Sequence, residues 1–312
     1  MKAVIKIINK IIQKPEKIFY AFQRMGLMNW MSDEQYIKFS YRMIFGRSLN
    51  LENPKAYTEK LAWCKLNWRC DLATRCADKF SVRSYIYEKL GQDADKYLNE
   101  IYGVWNNFEE IDFGKLPKKF VIKPTNGTGD VVICKDKDNF DYKKAKRKLL
   151  TNSKRSFSNL TKEWVYYDIP QRFLVEEFIE TDDEDGIKDY KFFCFHGEPK
   201  FLYVCSERNV EPKFNFYDLD WNEIAVRSGY SRGKKIQKPK MFSEMIKLAE
   251  HLSKDFAHVR VDFFQENDRI YIGELTFFHM GGFTKFEPDE YDYIFGKYFC
   301  LDKINADEIV LK

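Results

Sequence analysis

Several shortages narrow the problem. The 312 residues contain no run of 18 apolar side chains, so no segment has the length and composition of a membrane-spanning helix. Seven cysteines, an odd number, exclude a complete disulfide framework. Cys64, Cys70 and Cys76 recur every six residues, wider than the usual spacing of zinc ligand pairs, and only four histidines are available to complete a site. The thiols are therefore read as structural, and the chain as cytoplasmic and reduced. Neither charge sign dominates. Lys plus Arg (52) against Asp plus Glu (48) leaves +4, too little for a dedicated nucleic-acid binder. Repeats and low-complexity tracts are absent. What remains is 44% hydrophobic and 32% charged, enough for a core and too apolar for wholesale disorder. The length suggests two domains, or one large domain with a lobe. Aromatics are abundant: 28 Phe, 19 Tyr and 6 Trp make 17%, which points to strands with large buried side chains or to a site that handles rings.

The charge is unevenly spread. Residues 1–31 carry six cations (Lys2, Lys6, Lys10, Lys14, Lys17 and Arg24) against Glu16, a net +5 that leaves −1 for the rest. On a helical wheel of residues 2–14, Val4, Ile5, Ile8, Ile11 and Ile12 share one face, and Lys2, Lys6 and Lys10 the other. This pattern suits a helix lying on an anionic membrane surface or one packed on the body of the protein. Residues 32–117 read as mostly helical. From 118 the signal turns to strands, at 120–123 and 131–134 around a loop, then 173–179. Hairpins follow at 190–205 and 259–278. Residues 142–153 and 240–256 read as helices.

Four sets of residues carry chemistry. Lys123 ends a strand that enters the loop Pro124-Thr125-Asn126-Gly127-Thr128-Gly129-Asp130. Its glycines let backbone N–H groups approach phosphate oxygens, and the lysine adds a charge. A plain glycine turn explains the same residues. In the second hairpin, Arg260 and Asp262 share a face, as do Glu274 and Thr276, and a turn near 267–268 sets Asp262 nearly opposite Glu274. Two carboxylates in register repel unless something cationic lies between them, and Mg²⁺ on ATP phosphates would supply that charge. Asp189 and Lys191 share a face of another strand, with Arg208 beyond its partner. The apolar strand Leu174-Val175-Glu176-Glu177-Phe178-Ile179 could offer a backbone edge to adenine.

Taken in order, these elements follow the ATP-grasp superfamily. Asp78-Lys79-Phe80, Tyr102-Gly103-Val104-Trp105, Phe120-Val121-Ile122-Lys123, Asp189-Tyr190-Lys191-Phe192, Val259-Arg260-Val261-Asp262 and Gly273-Glu274-Leu275-Thr276 resemble the TupA-like ATP-grasp group, over roughly residues 50–300. The resemblance implies an α+β ATP-grasp fold. A helical N-terminal region would precede two β-rich lobes, 118–180 and 181–312, that clamp the nucleotide. It implies an ATP- and Mg²⁺-dependent ligase joining a carboxylate to an amine through an acyl phosphate, in cell-surface polymer biosynthesis. Lys123 and Lys191 would hold phosphates beneath the loop of Gly127, Thr128 and Gly129. Glu176, Glu177 and Ile179 would lie at the adenine, with Asp189 nearby and a ribose-binding acid among 180–185. Asp262, Glu274 and Thr276 would bind Mg²⁺, and Arg260 and Arg208 would stabilise the transition state. Thr276 stands where the superfamily usually has Asn, and Asp130 puts a negative charge beside the loop.

Three rival readings stand beside this one. Asp218-Leu219-Asp220 fits the metal motif of a glycosyltransferase, although it also reads as a turn. A kinase would use the same lysines and carboxylates. A membrane adaptor would use only the N-terminal helix.

Overall fold

The computed structural model describes residues 26, 28, 30–127, 131–153 and 160–310. The proposed amphipathic helix at 2–14, and Thr128, Gly129 and Asp130, lie outside them. Among the described residues no helix is long and apolar enough to cross a membrane.

Four helices come first: α1 (Asp33–Phe45), α2 (Tyr57–Asn67), α3 (Asp71–Ala77) and α4 (Val82–Leu90). Local chemistry sets their ends. The Ser32 hydroxyl accepts from the Gln35 N–H while the Gln35 side chain accepts from the Ser32 N–H, and Gly46 closes α1 at φ 74°. The helical reading of this region holds up to a strand, β1 (Ile101–Trp105). Every residue of β1 is half-buried, so no period-2 alternation announces it. Gly103 is required there. The Trp105 indole lies over it, and a Cβ would sit 2.2 Å from that ring.

β1 is the edge of a four-stranded antiparallel sheet with β2 (Phe120–Pro124), β3 (Val132–Cys134) and β4 (Phe173–Glu177), in the order β1-β4-β2-β3. Phe120, Ile122, Phe173 and Val175 bury one face against Ala145 and Leu149 of α5 (Tyr142–Ser153). Alternation sends Lys123 and Glu176 to the other face. Because β4 is interior, its backbone is already paired on both sides through Glu177. The expectation that Glu176 offers a free edge to adenine is corrected. Only residues beyond Glu177 can do so.

The second sheet has six antiparallel strands in the order β11-β10-β5-β6-β7-β8: β5 (Asp189–Phe195), β6 (Glu198–Ser206), β7 (Lys213–Asp218), β8 (Glu223–Ile224), β10 (His258–Glu266) and β11 (Arg269–Thr276). Its centre is covered on both sides, which accounts for the aromatic excess. Phe192 meets Phe242 of α6 (Phe242–Ser253) on one face. On the other, Phe193 and Phe195 meet Tyr57 of α2, each at 6.0 Å between ring centroids. The Tyr57 hydroxyl hydrogen-bonds His258 Nε2 at 2.8 Å, and His258 Nδ1 lies 3.0 Å from the Cys194 carbonyl, which ties the helical region to the sheet. A short pair, β9 (Arg227–Ser228) with β12 (Phe286–Glu287), and helix α7 (Glu290–Gly296) complete the lobe. The seven cysteines are unbonded, and six are buried.

Candidate active site

On the α2-facing side of the large sheet, alternation aligns Asp189 and Lys191 of β5, Arg260 and Asp262 of β10, and Glu274 and Thr276 of β11. Asp262 pairs with Glu274 on one side and with Lys191 on the other. The register depends on a bulge. A two-residue turn pairs Glu266 with Arg269 and Phe263 with Ile272, and continuing in step would bring Gly273 to Asp262. Instead the ladder shifts one residue between Asp262 and Phe263, and Glu274 arrives opposite Asp262. Gly273 is the added residue. A Cβ on it would lie 2.9 Å from the Phe264 ring and 3.3 Å from the Asp262 carbonyl.

The two carboxylates do not face each other unneutralised. Arg260 Nε and Nη2 donate to the two oxygens of Asp262 at 2.7 and 2.6 Å, and Nη2 also reaches Glu274 at 3.3 Å and the Thr276 hydroxyl at 3.1 Å. Lys191 pairs with Asp262 and, at 2.7 Å, with Asp189. The protein's own cations thus supply the charge that the sequence reading gave to Mg²⁺, and repulsion is no argument for a metal here. Burial lowers the proton affinity of Lys191, but Asp189 and Asp262 outweigh it and raise the pKa above the ordinary lysine value. Burial likewise pushes Asp262 up against the pull of Arg260 and Lys191. A carboxylate that accepts a two-pronged guanidinium is nevertheless an ionised one. For Glu274 the balance reverses. Lys191, Lys79 and Arg260 together overcome burial and hold it down at about 2.

Opposite, the small sheet contributes Lys123, paired with Glu176 at 2.5 Å. A third lysine joins them. Lys79 donates from Nζ to the Gly127 carbonyl at 2.5 Å, and Glu274, Lys123, Asp78 and Glu176 are its charged neighbours. Burial lowers its pKa. Lys79 lies in the Asp78-Lys79-Phe80 motif but was given no site role by the sequence. The buried Asp78 places it, accepting the N–H groups of Phe80 and Ser81 at 2.8 and 2.7 Å and Arg172 at 3.0 Å, while the Lys79 N–H donates to the Thr125 carbonyl. Gly127, at φ 73°, has nothing among the described residues within 4 Å of where a Cβ would stand.

Other expected residues are more loosely placed. Arg208 lies 3.9 Å from Asp189 with its guanidinium 5.7 Å from the Phe264 ring centre, and 40% of its side chain is exposed. Glu177 ends β4 and Ile179 lies past it. Among the ribose candidates, Glu180 pairs with Lys119 and Asp183 with Lys188. A cavity of about 690 Å³ at the end of the large sheet, between Tyr190 and residues 234–240, contains none of Lys79, Lys123, Lys191, Asp262 or Glu274.

The donor set fits Mg²⁺ in one respect and limits it in another. Asp262, Glu274 and Thr276 offer only oxygens, and a third of the Glu274 side chain is open. No group of three or more acidic, His or Cys side chains suited to a metal exists among the described residues. An ion held here would need phosphate oxygens as further ligands, the usual way in which Mg²⁺ binds.

The TupA-like ATP-grasp family model matches residues 59–300, most of the chain. The chain belongs to the TupA-like ATP-grasp family. No curated protein matches the sequence. Similar solved structures include D-alanine–D-alanine ligase from Helicobacter pylori (14% identity, TM-score 0.42, 78% of this chain and 67% of that one). The same enzyme from Bacillus anthracis has 17% identity and a TM-score of 0.37, over 64% of this chain and 56% of that one. Phosphoribosylglycinamide synthetase from Anaerococcus prevotii has 15% identity and a TM-score of 0.33, over 70% and 48%. The chain thus spans about half the length of the Bacillus and Anaerococcus enzymes.

Proposed function

We propose that this protein is a ligase that activates a carboxylate with ATP and joins it to an amine during the modification of a cell-surface polysaccharide or its precursor. The observation that carries the reading is that Lys79, of the turn after α3, stands with Lys123 on one side and Glu274 on the other as charged neighbours, and so joins the small sheet's lysine to the opposed carboxylates of the large sheet. Lys79 and Lys123 come from one side, and Lys191 and Arg260 from the other. A polyphosphate laid between them meets positive charge on both faces, and the desolvated walls strengthen each contact.

In the reaction, a substrate carboxylate oxygen attacks the terminal phosphorus of ATP and ADP leaves. The amine nitrogen then attacks the acyl carbon, phosphate departs with the former carboxylate oxygen, and the nitrogen loses a proton. Lys79 and Lys123 hold phosphate oxygens on the small-sheet side, and Lys191 does so from the large sheet. Arg260 is nearly fully engaged by protein acceptors, so it orients Asp262 and Glu274. The more exposed Arg208 is the guanidinium free to meet developing charge. Mg²⁺, when bound at Asp262, Glu274 and Thr276, supplies charge neutralisation for the phosphates.

The glycosyltransferase reading loses its motif. Asp218 accepts the N–H groups of Asp220 and Asn222 at 3.0 and 2.7 Å, the work of a turn residue. Incubation with ATP, Mg²⁺ and candidate acids, followed by hydroxylamine, tests the proposal. A hydroxamate supports it. A stable phosphorylated product indicates a kinase, and turnover of a nucleotide sugar with ATP ignored would overturn the ligase.

A further inference from the structure

His279 was absent from every sequence-based expectation, yet it touches the centre of the site. It is fully buried, and its Nδ1 lies 2.9 Å from Arg260 Nη1. An arginine can only donate, so Nδ1 accepts, and the neutral ring carries its hydrogen on Nε2. That Nε2 has no hydrogen-bond partner. Leaving a buried N–H unmade is costly, and a ring serving only as filler between Phe193 and Tyr203 would have no need of nitrogen. Burial and the adjacent Arg260 both hold the imidazole neutral.

The loop that delivers His279 is equally specific. Met280, Gly281 and Gly282 all lie in the left-handed region, at φ 49°, 63° and 68°. Buried Lys65 donates to the Gly281 carbonyl and stands 3.8 Å from the centre of the Phe283 ring. A Cβ on Gly281 would fall 2.6 Å from Thr161. The loop is thus tied to Lys65 and passes close over Thr161 at Gly281. With Nε and Nη2 committed to Asp262, Glu274 and Thr276, His279 takes the remaining arm of the guanidinium.

We propose that His279 is a positioning residue of the nucleotide site. Its Nδ1 fixes the rotation of the Arg260 guanidinium, and Arg260 in turn holds Asp262, Glu274 and Thr276 in the arrangement that receives a metal–nucleotide. The inference rests on the reading of the site given above.

The test compares H279F, which keeps ring bulk without an acceptor, with H279N, whose amide oxygen can stand near the Nδ1 position. The full chain is titrated with ADP by calorimetry, with and without Mg²⁺, and its thermal unfolding is followed. In H279F the metal-free ADP affinity should stay within about twofold of the parent, while the gain in affinity conferred by Mg²⁺ should fall at least tenfold. H279N should recover most of that gain. A full Mg²⁺-dependent gain in H279F, or an H279N as impaired as H279F, overturns the proposal. If H279F does not fold, ¹⁵N spectra of the parent decide: an Nε2–H tautomer with Nδ1 accepting supports the proposal, and an Nδ1–H tautomer refutes it. A parent protein that shows no Mg²⁺-dependent ADP binding fails the site reading itself. A parent that shows the gain, beside an unaffected H279F, fails only the role of His279.

Discussion

Replacing Glu274 by Gln removes one negative charge and little volume, so its consequences separate electrostatics from shape. Lys191, Lys79 and Arg260 hold Glu274 down at about 2, against an ordinary value of 4.5. At ~1.36 kcal/mol per pK unit, that difference corresponds to an upper limit of about 3.4 kcal/mol of folded-state stabilisation. A third of the side chain is open to water, and solvent screening reduces the expected loss in E274Q to about 1–2 kcal/mol at pH 7. The sign with pH follows from the depressed value. The contribution is complete above the unfolded pKa near 4.5 and disappears as pH falls toward 2, so parent and variant should converge in acid. Denaturant unfolding at pH 7 and at successively lower pH measures this. Nucleotide binding gives a second reading of opposite sign. Without metal, loss of a negative charge beside the phosphates should leave ADP affinity equal or higher. With Mg²⁺, the metal-dependent gain should fall at least tenfold. An E274Q protein of unchanged stability that keeps its full Mg²⁺ gain would refute both the cation cluster and the metal role.

Lys79→Ala should weaken ADP binding about as much as Lys123→Ala, ~10-fold or more, because each removes a charge-assisted contact from the same side; calorimetry compares them. Unaltered affinity in K79A would remove Lys79 from the site. Asp78→Ala strips the acceptor from the Phe80 and Ser81 N–H groups and unpairs Arg172, and it should cost about 2–4 kcal/mol in denaturant unfolding. Phe193→Ala empties a fully buried position stacked at 4.5 Å on Phe201 and should cost about 3–5 kcal/mol. Asp220→Ala should leave ATP-dependent turnover unchanged. Its backbone N–H serves the turn and survives the substitution, so a large loss of rate would restore the rival metal motif.

Much of the fold was legible because its signals are short-range. Apolar runs and hairpin turns located β2, β4, β5, β10 and β11, and alternation set Asp189 with Lys191 on one face of β5 and Arg260 with Asp262 on one face of β10. A run of basic residues marked α5, and an amphipathic pattern marked α6. The order of motifs identified the family. Three features depend instead on contacts between distant segments. β1 is half-buried along its length and paired with a strand about 70 residues away, so no local pattern marks it. The interior place of β4, which denies Glu176 a free edge, follows from that same pairing. Lys79 reads as one lysine among many until Asp78 and Arg172 fix its turn beside Gly127.

The opposition of Asp262 and Glu274 shows most clearly where the division lies. By itself the sequence determined that Arg260 and Asp262 share a face of one strand and Glu274 and Thr276 a face of the next, because side-chain direction alternates with every residue, and a turn near 267–268 set the two carboxylates nearly opposite. It also determined that this hairpin belongs to an ATP-grasp chain. Only the tertiary structure decided how that opposition is reached and that both carboxylates share one face: a one-residue bulge at Gly273, packed under Phe264, shifts the register that the two-residue turn would otherwise impose. Tertiary structure also decided what lies between the carboxylates, an arginine hydrogen-bonded to a buried histidine. That depends on a loop tied to Lys65 and passing close over Thr161, residues far from it in the chain.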